Sequence, residues 1–403
     1  MKERRVLTIL FVTLLLDVVG IGILIPVIPA LFTDPHSASF MLANYTVGTR
    51  FFIAGLMTAL FGVMQFLAAP LLGDLSDEYG RKRLLTLGVG VLAAAQLIFA
   101  GGIALASLPL LFISRLVAGI AGANFSIVQA SIADVTIPEH RARNFGLIGA
   151  AFGLGFILGP LIGGYIVALT GNPTLPFLFA GCLGILNLLS VTLFLPETHH
   201  VRSAAKKFSI FKAFHNVKVA YLDVDTRPLY TVSFLMMLGF AVYTSFSAVF
   251  LTARLGFSEA QTGTYFAFVG LCMVLSQIFV VRFMNARYSE RKILSIALPL
   301  LALMLIAQVF VMSPIMLYML VPFTAASVGL INTNLPALIS KGVSKERQGA
   351  ALGINGSLQA LSQGVAPLLA SAVAAVFSIP FIFVLASLLV VAATVLLPRR
   401  VQS

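Results

Sequence analysis

Charged side chains are scarce in this chain of 403 residues: Asp, Glu, Lys and Arg make up 10% of it, and hydrophobic residues make up 59%. Soluble globular proteins carry about 25% charged and 45–50% apolar residues. A soluble fold of this length could not hide so much apolar surface from water. The composition therefore excludes a sizeable soluble domain and predicts helices that are solvated by lipid.

Cysteine and histidine are also few. Cys182 and Cys272 both fall inside apolar runs, which indicates helix packing rather than a disulfide or a metal pair. All five histidines lie in predicted loops, and no cluster of His, Asp and Glu or nucleophile constellation supports a membrane enzyme or a receptor. We therefore expect no enzymatic activity, no metal and no cofactor.

Apolar runs fill most of the chain, and each is near the roughly 20 residues that a helix needs to cross about 30 Å of hydrocarbon. The predicted fold is an all-α membrane protein with twelve transmembrane helices. The spans are predicted at 6–31, 49–72, 84–105, 108–133, 144–169, 174–195, 228–252, 261–283, 293–311, 314–339, 348–374 and 378–397.

The longest loop divides the twelve spans into two sets of six. We predict one six-helix bundle at 1–195, a linker at 196–227 and a second bundle at 228–403. Within the linker, aromatic residues recur at helical spacing among lysines over 206–222. This pattern predicts an amphipathic helix on the membrane surface. A helix that binds a partner is the alternative.

The net charge of +12 is confined to short loops between apolar runs. If the N-terminus is cytoplasmic, 23 of the 26 Lys and Arg residues fall on the cytoplasmic side, and the exceptions are Arg50, Arg115 and Arg254. An asymmetry of this kind follows the positive-inside rule and predicts that both termini are cytoplasmic. It also argues against nucleic acid as the partner, because the basic residues form no contiguous patch.

The two halves resemble each other weakly at an offset of 207 residues. Three residues of span five match three of span eleven: Gly146, Gly149 and Pro160 correspond to Gly353, Gly356 and Pro367. Transporters built from parallel repeats show this kind of internal symmetry, with the substrate site between the halves near the midplane.

The segment after span two carries a family signature. It reads GDLSDEYGRKR over 73–83 and matches G-x-L-[AS]-D-x-x-G-R-[KR] at every signature position, including Gly73, Asp77, Gly80 and Arg81. This resembles the signature loop of the major facilitator superfamily. Two glycines permit a tight turn, and Asp77 and Arg81 can form charge-assisted bonds to helix ends. The resemblance implies a conformational latch in which Arg81 lies near Asp134, at the end of span four.

Span five is rich in glycine. Small residues at this spacing let helices approach closely, and by periodicity alone they indicate tight packing. The run GLGFILGPLIGG over 153–164 also resembles the motif that marks proton-coupled antiporters in the superfamily. Its residues are Gly153, Gly155, Gly159, Pro160, Gly163 and Gly164.

Span one contains the one acid that the sequence places deep in the membrane, Asp17. A charge there is expensive, so it is a functional hypothesis by default. Arg115 enters span four at a depth compatible with pairing, and SRLVAGIAGANFS over 114–126 resembles a family motif implicated in proton coupling. We therefore predict that Asp17 and Arg115 couple transport to protons. A purely structural ion pair is the alternative, although buried pairs are easily replaced by apolar residues.

Polar and aromatic residues within the spans are candidates for the substrate cavity, although any one of them is more often helix packing than a ligand contact. The predicted cavity residues are Gln65, Asn124, Phe152, Tyr243, Asn332, Asn355 and Gln359.

Taken together, the resemblance implies a drug/proton antiporter of the major facilitator fold, similar to the tetracycline exporters. We expect a monomer in a bacterial inner membrane that exchanges a small amphipathic molecule for protons. Tetracycline exporters carry further ionisable residues near spans eight and nine, and here 261–283 and 293–311 hold no acid or His, which argues against tetracycline. The alternatives are an importer or facilitator of a polar nutrient such as a sugar, or a dedicated metabolite or siderophore exporter.

Overall fold

The computed structural model describes residues 2–37, 39–137, 140–198, 212–222, 226–344 and 347–398. Within these ranges the protein is helical and forms no β-strand. The helices of the first part of the chain are α1 (Lys2–Phe32), α2 (Val47–Tyr79), α3 (Arg81–Ala104), α4 (Leu108–Ala121), α5 (Asn124–Val135), α6 (Arg141–Thr170) and α7 (Leu175–Phe194). The later helices are α8 (Lys212–Leu222), α9 (Arg227–Leu255), α10 (Glu259–Leu275), α11 (Arg282–Arg287), α12 (Glu290–Ala307), α13 (Pro314–Lys341), α14 (Gln348–Val376) and α15 (Phe381–Val395).

The twelve predicted spans all correspond to helices. In the described ranges, 11 helices are long and apolar enough to cross a membrane, and α15 is a shorter apolar helix of 15 residues. Two spans are composite. The fourth, Leu108–Val135, comprises α4 and α5, which are joined by a short turn at Gly122, and the eighth, Glu259–Arg287, contains a π-helical segment at Ser276–Val281.

The signature segment is more helical than the sequence suggests. The predicted loop over 73–83 does not exist as a loop, because α2 continues through Gly73 to Tyr79 and α3 begins at Arg81. The turn consists of Gly80 alone, which has a φ of +99°. This is a backbone conformation that glycine adopts without steric cost. The expectation of two turn-forming glycines is therefore wrong for Gly73, whose side of the helix is open.

The helices of the two halves meet along two seams, which are α2 against α14 and α6 against α10. Gly62 and Gly364 form the closest approach of the first seam: a methyl group added at Gly364 would lie 2.9 Å from the backbone nitrogen of Val63. Small residues at such positions let the backbones of membrane helices touch. The second seam runs towards the beginning of α10, at Glu259.

The two ends of the bundle differ in how closely their helices pack. At the end that carries Glu259, Gly164 of α6 lies against the backbone of Glu259. At the opposite end, which carries Gly80, the repeat-related Gly146, Gly149, Gly353 and Gly356 are exposed, and a methyl group added at any of them would meet no atom within 4 Å. The two ends of the bundle are named the Glu259 end and the Gly80 end.

The linker helix α8 packs against α2 and α14, the two helices of the first seam, at the Gly80 end. The Lys212 ammonium is 2.5 Å from the Asp74 carboxylate of α2, and Asn216 donates a hydrogen bond of 3.0 Å to Ser357 of α14. Ala213 is fully buried. The sequence predicted a helix over 206–222 that rests on the bilayer. The described part, 212–222, is helical and contacts α2 and α14, and 206–211 lies outside the described residues. Its place on the bilayer surface stays a prediction.

Candidate transport site

Glycines of the antiporter-like motif form one face of α6 that packs on α1. Gly155, Gly159 and Gly163 are spaced by four residues, so they lie on one side of the helix. A methyl group added at Gly159 would lie 2.8 Å from the Cα of Gly22, and one at Gly163 would lie 2.6 Å from the carbonyl oxygen of Ile23. The motif therefore lets the backbones of α1 and α6 touch, and α1 is the helix that carries Asp17.

The remaining motif residues form a second face of α6 that packs on α10, in the other half of the chain. Gly153 lies against Val274, and Pro160 lies against Gly263. Gly164 completes the face at the Glu259 end. The glycine motif thus brings α1 and α10 against one helix. The motif therefore contacts both halves of the chain, a relationship that the sequence pattern could not supply.

Arg81 lies between two carboxylates at the Gly80 end. Its Nη1 is 2.6 Å from Asp77 Oδ1, and its Nε is 3.1 Å from Asp134 Oδ2 at the end of α5. The same guanidinium donates a hydrogen bond to Ser76, whose side chain is buried. The structure therefore brings together the charged residues that the signature singled out, and joins the end of α2 to the end of α5.

Glu197 is a further residue at this turn that the sequence did not single out. Its carboxylate accepts a hydrogen bond of 2.9 Å from the backbone N–H of Arg81, the first residue of α3, and it also faces the N–H of Lys82. Acids stabilise the positive end of a helix dipole. An acid two residues after the sixth predicted span could have drawn attention, but its partner is 116 residues away in the chain.

Asp17 is bonded to a neutral partner. Its Oδ2 accepts a hydrogen bond of 3.3 Å from the Asn124 amide, which belongs to the first turn of α5 and is only 1% exposed. Asn124 also packs against Gly88 of α3, which leaves room for its side chain. Among the described residues, Asp17 forms no ion pair. The carboxyl group therefore lies in the middle of a span and is hydrogen-bonded to a neutral amide.

Arg115 does not pair with Asp17, so the expected ion pair is absent from this conformation. The guanidinium lies over the ring of Phe99 at 4.5 Å and donates a hydrogen bond of 3.2 Å to Ser114. Asp17 shares a cavity with Val89, Ala93 and Gln96 of α3, which lie three to ten residues before Phe99. The depths estimated from the sequence did not predict which residues the two side chains contact.

An aromatic pocket lies between the halves and contains one of the predicted cavity residues, Tyr243. The Tyr243 and Tyr265 hydroxyls are 3.3 Å apart. Phe156 contributes a ring from α6, and the other walls come from α9, α10 and α13. The lining residues are Phe156, Phe240, Tyr243, Thr244, Phe266, Val269, Met273, Val321, Thr324, Ala325 and Val328. None of them is charged.

The other predicted cavity residues lie outside this pocket. Asn124 and Asn355 are buried in helix packing; Asn355 accepts a hydrogen bond of 2.6 Å from Ser233. Gln65 donates to the carbonyl oxygen of Gly122, and Gln359 contacts the sulfur of Met237. Phe152 and Asn332 are exposed, and Phe152 packs edge-on against Phe125.

Comparison with known proteins decides the family. Residues 10–363 match the Major Facilitator Superfamily. This chain belongs to that superfamily. The class C tetracycline resistance protein of Escherichia coli is 32% identical over 378 residues, which cover 93% of this chain and 90% of that protein. Multidrug resistance protein 2 of Bacillus subtilis is 24% identical and covers 91% of this chain and 88% of its own length.

Solved structures agree with the fold. The human organic anion transporter MFSD10 has a TM-score of 0.75 at 27% identity and covers 98% of this chain and 99% of its own. A D-xylose–proton symporter has a TM-score of 0.78 at 16% identity, over 100% of this chain and 98% of its own. The predicted fold is therefore confirmed, and the chain is a multi-pass membrane transporter.

Proposed function

We propose that this protein exports small amphipathic compounds across the bacterial cytoplasmic membrane in exchange for protons. The observation that carries the proposal is the environment of Asp17. Its carboxyl group lies in the middle of α1 and accepts a hydrogen bond from the neutral side chain of Asn124. A charge at this depth is expensive, and a protonated carboxyl is neutral. The free energy of burying Asp17 in the membrane therefore differs greatly between its protonated and ionised forms, as a proton carrier requires.

The glycine motif connects this carboxyl to the opening of the bundle. α6 packs on α1 next to Asp17 through Gly155 and Gly159, and on α10 through Gly153. A change in the charge of Asp17 that shifts α1 is therefore transmitted to the seam between the halves. In this mechanism, proton loss favours one conformation and proton uptake favours the other, and substrate binds when the pocket faces the cytoplasm.

The aromatic pocket indicates the substrate class. Its wall combines the rings of Phe156, Phe240 and Tyr243 with the hydroxyls of Thr244 and Thr324, and no lining residue is charged. Pockets of this kind bind apolar molecules and use a few polar groups to orient them. The substrate is therefore a lipophilic compound with a few polar groups, as is the case for many drugs. Hydrophilic sugars fit this wall poorly.

The orientation follows from the charge distribution. The basic loops lie at the Gly80 end, so the positive-inside rule makes this end cytoplasmic. The open Gly80 end and the closed Glu259 end then correspond to a protein that faces inward. The division into bundles at 1–195 and 228–403, with Arg81, Asp77 and Asp134 as a latch at the cytoplasmic end, completes the proposal.

Asp17→Asn tests the proton-carrier role. An amide keeps the shape of the side chain, but it does not gain or lose charge by binding or releasing a proton near neutral pH. In liposomes we expect Asp17→Asn to bind drug and to release no proton when drug is added. Asp34→Asn is the matched control, since Asp34 lies in the loop after α1, and it should behave as wild type. Wild-type proton release from Asp17→Asn would refute the role.

A susceptibility panel identifies the substrate. Cells that express the wild type or Asp17→Asn are compared across lipophilic dyes, antibiotics, organic anions and tetracycline, since relatives carry the names of tetracycline and multidrug resistance proteins and a structural neighbour is an organic anion transporter. We expect protection against lipophilic dyes and antibiotics that depends on Asp17. Protection confined to tetracycline would contradict the broad substrate range, and uptake of a sugar would contradict export.

A further inference from the structure

A second, smaller cavity lies beside Asp17, on the side of α1 that faces α3 and α7. It shares no residue with the aromatic pocket, which is built by α6, α9, α10 and α13. Its walls are mainly small and apolar. The polar groups that face it are the carboxyl of Asp17 and the amides of Gln96 and Asn187.

Both amides present a buried polar atom without a hydrogen-bond partner. Gln96 donates to the carbonyl oxygen of Gly20 at 3.2 Å, but its Oε1 is unpartnered. Asn187 Oδ1 accepts from Thr13 at 3.0 Å, but its Nδ2 is unpartnered. The exposed fractions of Gln96 and Asn187 are 3% and 2%. Two unpaired amide groups in the same cavity need an explanation, because a buried polar group without a partner loses the hydrogen bonds that water would supply.

Water explains both groups at once. A buried water typically makes two to four hydrogen bonds to polar groups that are otherwise unsatisfied. Here an acceptor on Gln96, a donor on Asn187 and the carboxyl of Asp17 face one space. The space exists because Gly20 and Gly184 line it, and a methyl group added at Gly184 would lie 2.8 Å from Ala93.

We propose that Gln96 and Asn187 hold water next to Asp17, and that this water is the route by which the proton reaches and leaves the carboxyl. The inference rests on the proposed role of Asp17 and adds that proton and drug use separate passages. The proton moves between water and the Asp17 oxygen on the α3 and α7 side, while drug occupies the aromatic pocket. Asp17 is the only ionisable residue among those that line the cavity, and the nearby cation, Arg115, lies over Phe99.

Separate passages have a measurable consequence. A large substrate that fills the aromatic pocket does not block the path of the proton, so proton exchange at Asp17 depends on the amides and not on the size of the drug. If the proton instead used the drug cavity, the amides would affect only packing. The two arrangements therefore differ in the kinetics of proton release and not in drug affinity.

Gln96→Met and Asn187→Leu test the proposal, because each replaces an amide by an apolar side chain of similar volume and shape. Purified variants in liposomes are mixed with a fluorescent dye that the wild type exports, and proton release is followed with a pH indicator by stopped flow. We expect release to slow by at least about a hundredfold, the lower end of the contribution of a positioned proton-transfer group, while equilibrium dye binding is unchanged.

Gln308→Leu is the matched control, because Gln308 is a buried amide with an unpartnered nitrogen at the end of α12, far along the chain from the cavity. It should release protons at the wild-type rate. Wild-type release by both Gln96→Met and Asn187→Leu would overturn the water route. If Asp17→Asn also retained release, the proton-carrier role itself would fall, so the two failures are distinguishable.

An experimental structure at a resolution that shows ordered water supplies a second measurement, independent of how well the variants fold. The expected result is solvent density within hydrogen-bonding distance of Gln96 Oε1 and Asn187 Nδ2. An empty cavity in such a map would overturn the proposal.

Discussion

Asn124 Nδ2 donates a hydrogen bond of 3.3 Å to Asp17 Oδ2, and this bond connects the first turn of α5 to the carboxyl in the middle of α1. A neutral donor can stay bonded to a carboxyl in either charge state, and it favours the ionised form less than a cation would. The relationship therefore suits the proposed role of Asp17 as an acid that gains and loses a proton.

Asn124→Leu removes this donor while keeping the side-chain volume similar. An N–H donor favours the ionised carboxylate, and bonds to charged groups are worth about 1.5–3 kcal/mol. We expect drug-dependent proton release at pH 7 to fall by at least about tenfold, with drug binding retained. The measurement is proton release in liposomes beside equilibrium drug binding. Unchanged release would show that the bond plays no part in coupling.

The sequence predicted the helices and placed Asp17 within a span, but it did not predict how the helices are rotated relative to one another. Long apolar runs mark the spans because lipid requires them, and a lone acid within such a run is conspicuous. Depth, however, does not say which neighbour a side chain faces. This is why Asp17 was expected beside Arg115 and instead contacts Asn124. The sequence predicted a loop where the last turns of α2 lie. Asp74 and Asp77 are residue types that are common in loops, but here they lie on a helix.

The aromatic pocket was harder to predict, for a different reason. Its Phe rings are three of the 33 phenylalanines of the chain, and no sequence pattern distinguishes these three from the others. Only the packing of α6 on α10 brings Phe156 close to Tyr243. Such a site depends on contacts between distant segments, which no local pattern records.

Asp77→Asn should slow the transport cycle while leaving drug binding largely intact. Asp77 is the partner that contacts Nη1 of Arg81, and its loss leaves the guanidinium with Asp134 at its Nε. We expect transport to fall several-fold, because the bonds between the ends of α2 and α5 change as the bundle opens and closes. Glu78→Gln is the matched control, with the same change of charge one residue later. Equal transport by Asp77→Asn and wild type would rule out the latch.

The two signature glycines should respond oppositely to alanine. Gly80 has a φ of +99°, and its added methyl group would meet the Glu197 carboxylate. We expect Gly80→Ala to destabilise the protein by at least about 1 kcal/mol, as positive-φ positions do. Gly73 lies inside α2 with open space around it, so Gly73→Ala should stabilise by about 0.5–1 kcal/mol. Thermal unfolding in detergent measures both, and equal shifts would contradict the assignment of the turn to Gly80.

Gly159→Ala and Gly146→Ala test the packing of α6 in the same way. A methyl group at Gly159 would lie 2.8 Å from both Gly22 Cα and the carbonyl oxygen of Val19, which are backbone atoms that cannot rotate away. We expect a loss of about 1–3 kcal/mol, typical of overpacking. Gly146 meets nothing within 4 Å, so its variant should fold as well as the wild type. Equal stability of the two variants would show that α1 and α6 do not touch there.

The linker helix α8 supplies the last prediction. Lys212 binds Asp74 on α2, and Asn216 binds Ser357 on α14, so α8 occupies the gap between the seam helices when the Gly80 end is open. If α8 stabilises this conformation, removing one of its attachments should favour closure. A half-exposed ion pair contributes about 0.2–1 kcal/mol, which corresponds to a shift in population of at most about fivefold.

Lys212→Gln should therefore raise the closed population. Spin labels at Tyr79 and Gly349, which are both exposed near the Gly80 end, report the separation of α2 from α14 as a distance distribution. Lys218→Gln is the matched control, because Lys218 is on the same helix and exposed. The double variant Asp74→Lys with Lys212→Asp restores an ion pair of reversed polarity and should return the distribution towards that of the wild type. An unchanged distribution in Lys212→Gln would show that α8 fills the gap without stabilising the open end.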